Sequence, residues 1–453
     1  MTVGRRELML AGLGVGLAAA AGPRLADARE DSPPKTGAPE AFSTYGVVPA
    51  DGKIDQTATL QEAADEAAHS GTPLYLPPGT YATGRLTLKS GTHIHGVPGL
   101  TILRYASGGA ILATEGTDNV RLTGLVLDGA HQTLGADGAL IMATDSTHFD
   151  VSDCRFTGSS EDGVVLRKVS GRVADCEISD IRKAALFSED AKGLEIAHNH
   201  VHDCGDNGIL VWRSEAGEDG TIVTSNRVER IAAKSGGSGQ NGNGINVFRA
   251  GAVLVNANRI TDCAFSAIRA NSGSNCQMVA NSCARLGEVA LYAEFSFEGV
   301  VIANNIVDQA AMGISVTNFK QGGRLAVVQG NIIRNLFLRK DADSRGIGIG
   351  VEADTVVSDN VIEGAPAYGI LVGWGNYLRD VSVSDNVIRK AHIGIGVAVS
   401  ASAGTALITD NLISEVKDGA IRAMKGPTPV GPDLAKASPE AYPNLAVYAN
   451  VAR

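Results

Sequence analysis

Short runs of alternating aliphatic residues recur along most of the chain, each introduced by a small residue: Gly208-Ile209-Leu210-Val211, Gly244-Ile245-Asn246-Val247, Gly313-Ile314-Ser315-Val316, Gly369-Ile370-Leu371-Val372 and Gly394-Ile395-Gly396-Val397. Alternation of period two predicts strands with one buried and one exposed face. Between these runs a second phrase repeats: a β-branched residue, two variable positions, Asn or Cys, one variable position, then an aliphatic. Its polar position falls at Cys154, Cys176, Asn199, Asn226, Asn258, Asn281, Asn305, Asn331, Asn360, Asn386 and Asn411, at intervals of 22 to 32 residues, and again at Asn450. Such a unit holds short strands and no long helix, so the period selects a parallel β-solenoid over helical repeats. The fold predicted is all-β: a right-handed, single-stranded parallel β-helix, with the Asn residues stacked as a ladder.

Composition changes this picture little. Gly is abundant (55 residues) and aromatics are few (5%), as expected for a narrow rod of tight corners filled with aliphatics. The six Cys at 154, 176, 204, 263, 276 and 283 show no Cys-x-x-Cys spacing, and are read as buried thiols rather than a disulfide framework or a zinc site.

The ends depart from the repeat. Arg5-Arg6-Glu7-Leu8 opens an apolar run to Ala21, followed by Ala26-Asp27-Ala28, the pattern of a signal peptide over residues 1–28. The run is too short to span a bilayer, which takes about 20 apolar residues. The paired Arg resembles a twin-arginine export signal, which implies the twin-arginine translocation machinery as a partner and a periplasmic or secreted protein. Removing residues 1–28 subtracts three Arg, one Glu and one Asp, so the net charge moves from −10 to −11. An acidic bulk surface argues against nucleic acid as a partner, and no segment calls for stable membrane insertion. Residues 29–41 read as a linker, 42–96 as an N-terminal cap with the first strands, 97–425 as the β-helix, and 426–453 as a Pro-rich loop with a covering strand.

Within the cap, Leu60, Ala63, Ala64 and Ala67 share one face of a helix that Asp55 or Thr57 would N-cap. Leu74-Tyr75-Leu76-Pro77-Pro78-Gly79-Thr80-Tyr81 follows it, and Leu125-Val126-Leu127-Asp128-Gly129 closes the region. This stretch resembles the opening of the pectate-lyase-like superfamily of right-handed β-helices, which implies an amphipathic helix plugging the first coil. The whole chain also looks like a family of twin-arginine-exported β-helix-repeat proteins, a resemblance that carries over no activity.

Aligned on the small residue, the coils present two outward columns. One reads Val165, Phe187, Leu210, Asn246, Arg269, Tyr292, Ser315, Gly350, Leu371 and Gly396. The other reads Arg167, Glu189, Trp212, Phe248, Asn271, Glu294, Thr317 and Glu352, with Arg213, Arg249, Asn318 and Trp374 just beyond. Aromatics and Arg clustered on one face of an acidic protein suit an acidic polysaccharide, because rings stack on sugars and guanidinium forks grip carboxylates. Trp212, Arg213, Phe248, Arg249, Asn271 and Asn318 are the candidate substrate-binding residues. Arg269, Tyr292, Glu294 and Asn246 are the candidate catalytic ones, with Arg269 on the uronate carboxylate and Tyr292 moving protons. A lyase or C5-epimerase fits these better than a hydrolase, whose two carboxylates would be Glu294 and Glu352 at about 9.6 Å, two rungs apart. No Asp-Asp pair, Gly-His-Gly, Asp-Pro-His-Asp or Trp-Ile-Asp-His phrase names the reaction. The alternative is a non-catalytic periplasmic β-helix that binds glycan or a metal cofactor. His198, His200 and His202, at period two, are the weak metal candidates; a divalent cation is compatible with the sequence, and none is required by it. The Gly-rich segment from Ser235 to Gly244 is expected as a flexible loop overhanging the trough, a candidate lid.

Overall fold

The computed structural model describes residues 42–135, 138–237, 239–340 and 344–453; the export signal and the linker read from the sequence lie outside them. The chain winds into a parallel β-helix with three faces. A fifteen-stranded sheet, from Leu74–Tyr75 to Leu445–Tyr448, forms the first face. A twenty-nine-stranded set forms the other two. The second face holds strands such as Glu177–Ile181, His200–Cys204 and Arg227–Ile231. The third holds Ala184–Glu189, Asn207–Glu218, Asn243–Gly251, Ile268–Asn271 and Val289–Glu294. Ile209, Ile245, Ile268, Leu291 and Ile314 follow one another in register and are fully buried. Period-two aliphatics thus become a continuous interior stack, each coil covering its neighbour's apolar face.

The corner between the first and second faces explains the repeated Asn. It is two residues long at every coil from Asp153-Cys154 to Ala449-Asn450. Its first residue is left-handed each time, as at Asp175 (φ 56°), Ser225 (φ 56°), Asn304 (φ 57°) and Asp385 (φ 59°). The second points inward and is the ladder residue. Asn305 shows the pattern: its Nδ2 donates to Met278 O (2.9 Å) and to Asn331 Oδ1 (2.9 Å), and its backbone N–H donates to the same Oδ1 (2.9 Å). Each carboxamide oxygen therefore accepts twice from the coil before it, and the buried turn groups are satisfied. The chain of amides runs unbroken from Asn199 to Asn450 and is continued backward by Cys176, whose N–H donates to Asn199 Oδ1 at 3.0 Å.

The helix Thr57–Ser70 closes the N-terminal end and buries Leu60, Ala63, Ala64 and Ala67. Gln56 holds the N-cap position without a side-chain bond, and Asp55 accepts instead from the Thr57 N–H at 2.8 Å. At the other end Thr428–Val430 folds back antiparallel on Ile421–Lys425 before Leu445–Tyr448 rejoins the first face. All six cysteines are free and buried; burial pushes Cys204 and Cys283 up to about 12, so both are inert thiols. Among the described residues no helix is long and apolar enough to cross a membrane.

Candidate functional site

Length variation marks the third face. The two-residue corner carries no insertion, whereas both borders of the third face do. Residues 232–237 and 239–242, and residues 335–340 and 344–346, leave along one border. Along the other lie the bulge between Trp212 and Gly217, the 3-10 turn Phe319–Gln321, and the turn between Val361–Val372 and Arg379–Ser384. The third face is thereby walled into a trough.

The outward columns fall in the expected register, with Asn246 beside Arg269, Arg269 beside Tyr292, Tyr292 beside Ser315, and Ser315 beside Gly350. Phe187, Trp212 and Phe248 form an edge-to-face run with centroids 5.2 and 5.4 Å apart. Arg213 and Arg249 sit on the border rather than the floor. Arg249 lies over the Phe248 ring at 4.8 Å and donates to Ser214 O at 2.8 Å, while Arg213 donates to Glu215 O at 3.2 Å. Asn318 is a left-handed border residue as well (φ 72°).

Arg269 is not an open carboxylate clamp. Its Nε and Nη2 both reach Glu294 Oε1 at 2.5 Å, and Asn271 Nδ2 joins them at 3.0 Å. The side chains of Arg269 and Glu294 are 12% and 2% exposed. Gly239 closes over the guanidinium, so tightly that a Cβ there would fall 1.7 Å from Nη1. The reason is chemical: a carboxylate two positions along on the adjacent rung is the nearest partner for a guanidinium that the loop removes from water. Glu294 therefore lines neither depression of the trough, and it does not form a carboxylate pair with Glu352. The loop does overhang the trough, but it is tied down: Ser235 donates through N and Oγ to Asp206 (2.8 and 2.7 Å), and Asn243 Nδ2 donates to Gly239 O at 2.9 Å.

Two depressions remain open. One, of about 390 Å³, is lined by Trp212, Gln240, Asn246, Phe248, Arg269 and Asn271. The other, of about 220 Å³, lies beyond Tyr292 and includes Ser315, Arg345, Gly350, Glu352 and Trp374. Tyr292 separates them, its ring 5.4 Å from the Arg269 guanidinium carbon. Burial, with the Glu294 carboxylate nearby, pushes its hydroxyl up to about 12, so it is a proton donor at neutral pH. Burial also raises Glu352, against the Phe319 N–H that donates to its Oε2 at 2.7 Å. Arg345 escaped the sequence reading because residues 335–346 carry no repeat phrase and so no column position.

The histidines do not form a ligand set. His198 is the left-handed corner residue before Asn199 (φ 57°), which breaks the period-two alternation and turns it away from the other two. His200 and His202 stack at 4.3 Å on the second face and are held by carboxylates: His200 by Glu229 (3.1 Å), His202 by Asp203 (2.7 Å) and Glu177 (3.5 Å). Among the described residues no group of His, Cys, Asp and Glu could hold a metal ion.

Several solved structures are similar. Gene product 12 of bacteriophage phi29, in its pre-mature form, aligns over 84% of this chain with a TM-score of 0.52 and 15% identity. The chain spans 55% of the length of that phage protein. A tailspike double mutant of Escherichia coli bacteriophage HK620, in complex with a pentasaccharide, aligns over 84% of this chain and 76% of its own, with a TM-score of 0.52 and 11% identity. The mannuronan C-5 epimerase AlgE4 A-module of Azotobacter vinelandii covers 90% of this chain and all of its own at 15% identity, with a TM-score of 0.41. At these identities the likeness is one of fold. No curated protein matches the sequence. The family model described as a right handed beta helix region matches residues 137–232 and 216–380, more than half of the chain. That match agrees with the coil register, and the chain belongs to the right-handed β-helix family.

Proposed function

We propose that this is an exported carbohydrate-active β-helix that acts on an acidic polysaccharide laid along the third face, as a lyase or C5-epimerase rather than a hydrolase. The observation that carries the reading is the trough itself. Among the described residues, insertions wall both borders of one face only, and that face alone combines the Phe187–Trp212–Phe248 run with two open depressions separated by a half-buried tyrosine. Aromatic rims and a row of rungs about 4.8 Å apart suit an extended chain of sugars. The absence of Glu294 from either depression removes the paired carboxylates that hydrolysis calls for. Tyr292, neutral and half-buried between the depressions, supports proton transfer instead.

Incubation of the mature protein with a panel of polyuronates tests this. An elimination gives unsaturated products that absorb in the ultraviolet, and C5 epimerisation exchanges the C5 proton with deuterated solvent. Neither signal with any polyuronate defeats the enzymatic reading. The non-catalytic alternative, a glycan-binding β-helix, needs only the Phe187–Trp212–Phe248 run and no acid–base pair. That alternative expects saturable binding of the same polymers without turnover. Export rests on Arg5-Arg6; replacing both by Lys should leave the precursor in the cytoplasm, and unimpaired export would point to the general secretion route.

A further inference from the structure

We infer that the depression beyond Tyr292 is the subsite that seats the reacting sugar, a carboxylated pyranose, with Glu352 and Tyr292 as its two proton-transfer groups and Trp374 as its rim. This rests on the reading that the third face carries an acidic polysaccharide, and adds where on that face the chemistry occurs.

The depression is written into the outward column by subtraction. Between Tyr292 and Leu371 the successive outward residues are Ser315 and Gly350, so two rungs contribute almost no side chain. The Met312 side chain lies across the outward side of Gly350, where a Cβ would come within 2.5 Å of its Cε, so it forms part of the floor. The space left, about 220 Å³, is bounded at one end by the Tyr292 ring. On the border stands Trp374, 44% exposed, carried on a turn between Gly373 (φ 74°) and Gly375 (φ 59°). An indole held half in solvent beside a polar hollow is a platform for a sugar ring.

The polar groups fit one kind of sugar. Arg345, braced by Glu288 at 3.2 Å, contributes a guanidinium to the wall. Ser315 and Thr317 contribute hydroxyls 3.2 Å apart. Glu352 is the one carboxyl among the lining residues, and burial raises it, which makes its carboxylate a stronger base than an exposed one. A uronate carboxylate gives this guanidinium a second anionic partner beside Glu288, which a neutral pyranose does not.

The step is an elimination. The Glu352 carboxylate takes the proton from C5 of the seated uronate, and the electrons of that C–H bond form the C4=C5 double bond. The C4–O4 bond breaks, and the leaving oxygen takes the hydroxyl proton of Tyr292. Glu352 then loses its proton to water and the Tyr292 phenolate regains one. Opposite environments give the two groups opposite roles, a carboxylate more basic than usual and a phenol that stays protonated until released charge draws on it.

The chain has two tryptophans, at 212 and 374, so each single replacement leaves one fluorescent reporter. Trp212→Phe reports on this depression and Trp374→Phe on the other. A short oligouronate should shift the emission of the Trp212→Phe protein in a saturable way, and a neutral oligosaccharide of the same length should not. Glu352→Gln keeps an oxygen for the Phe319 N–H, so it should fold, bind with an unshifted titration and lose about 10²–10⁴-fold in turnover. The wild type should also lose activity as pH falls and Glu352 takes up a proton, a limb absent from the residual activity of Glu352→Gln. If a polyuronate is turned over or moves Trp212 while Trp374 stays silent, or if Glu352→Gln retains full turnover, the subsite is wrong and the reading of the face survives. If no polyuronate moves either tryptophan, both fall.

Discussion

The ladder corner and the outward column of the third face pass through the same coils, yet follow opposite rules. At the corner every coil from Asn199 onward repeats one solution, a left-handed residue and then an Asn whose amide completes its predecessor. On the third face no two neighbouring rungs agree: Asn246, Arg269, Tyr292, Ser315 and Gly350 follow one another in register. Repetition is what stability requires, because each buried amide must meet an identical partner one rung away. A site requires different groups at successive rungs, held in place by a scaffold that does not vary. Mutations should therefore separate the two regions.

The largest effect should come from the variable column. Tyr292→Phe retains the ring over Arg269 and removes only the hydroxyl, so turnover should fall by about 10²–10⁴-fold with affinity and melting temperature nearly unchanged. Steady-state kinetics beside a thermal melt check this; unchanged turnover would mean that the column is only a surface.

Next in size is Arg269→Ala, a column residue that also braces the scaffold through a buried ion pair. It strands Glu294 at 2% exposure without its cation, and the expected cost is about 3–5 kcal/mol of stability in urea unfolding, together with weaker binding and turnover. A loss of activity with intact stability would show that the ion pair is not the buried brace described above.

Asn305→Ala should do the reverse of Tyr292→Phe. It orphans the Asn281 N–H and Nδ2 and the Met278 carbonyl, at a cost of about 1–3 kcal/mol, while turnover per folded molecule is kept. Equal stability of variant and wild type would make the ladder ornamental.

The smallest expected effect lies on the second face. Burial raises Glu229, but hydrogen bonds from Arg230, His200 and Arg227 outweigh it and bring it down to about 2; Arg230 does the same for Asp203. Both folded values lie below those of the unfolded chain, so the stabilisation is present above about pH 4 and is lost as pH falls toward 2. Glu229→Gln should flatten that decline in unfolding free energy, measured by urea unfolding across pH, by about 1 kcal/mol once solvent screening is allowed for.

The fold was legible because its determinants are local and repeated: a corner of two residues has one sequence solution, and the chain states it from Cys154 to Asn450. The columns followed, since a period of two fixes which residues share a face. What escaped the sequence was contact between rungs. That Glu294 would neutralise Arg269 depends on side-chain reach and on a loop whose Gly239 fits over the guanidinium. Gly350 stood in the outward column with no role, although its lack of a side chain is what lets Met312 lie across that rung as part of the floor of the second depression. His198 was misread because one left-handed residue cancels the alternation on which its placement relied.

The two-residue corner also has an evolutionary consequence. An inserted residue there would push an Asn out of line with both neighbours, so selection should remove it at once, whereas the borders of the third face accept insertions of any length that leaves the rungs paired. Heritable change in length is thus channelled to the walls of the trough. A lineage of such rods could revise what its trough admits many times over while its axis, pitch and interior stayed as they were.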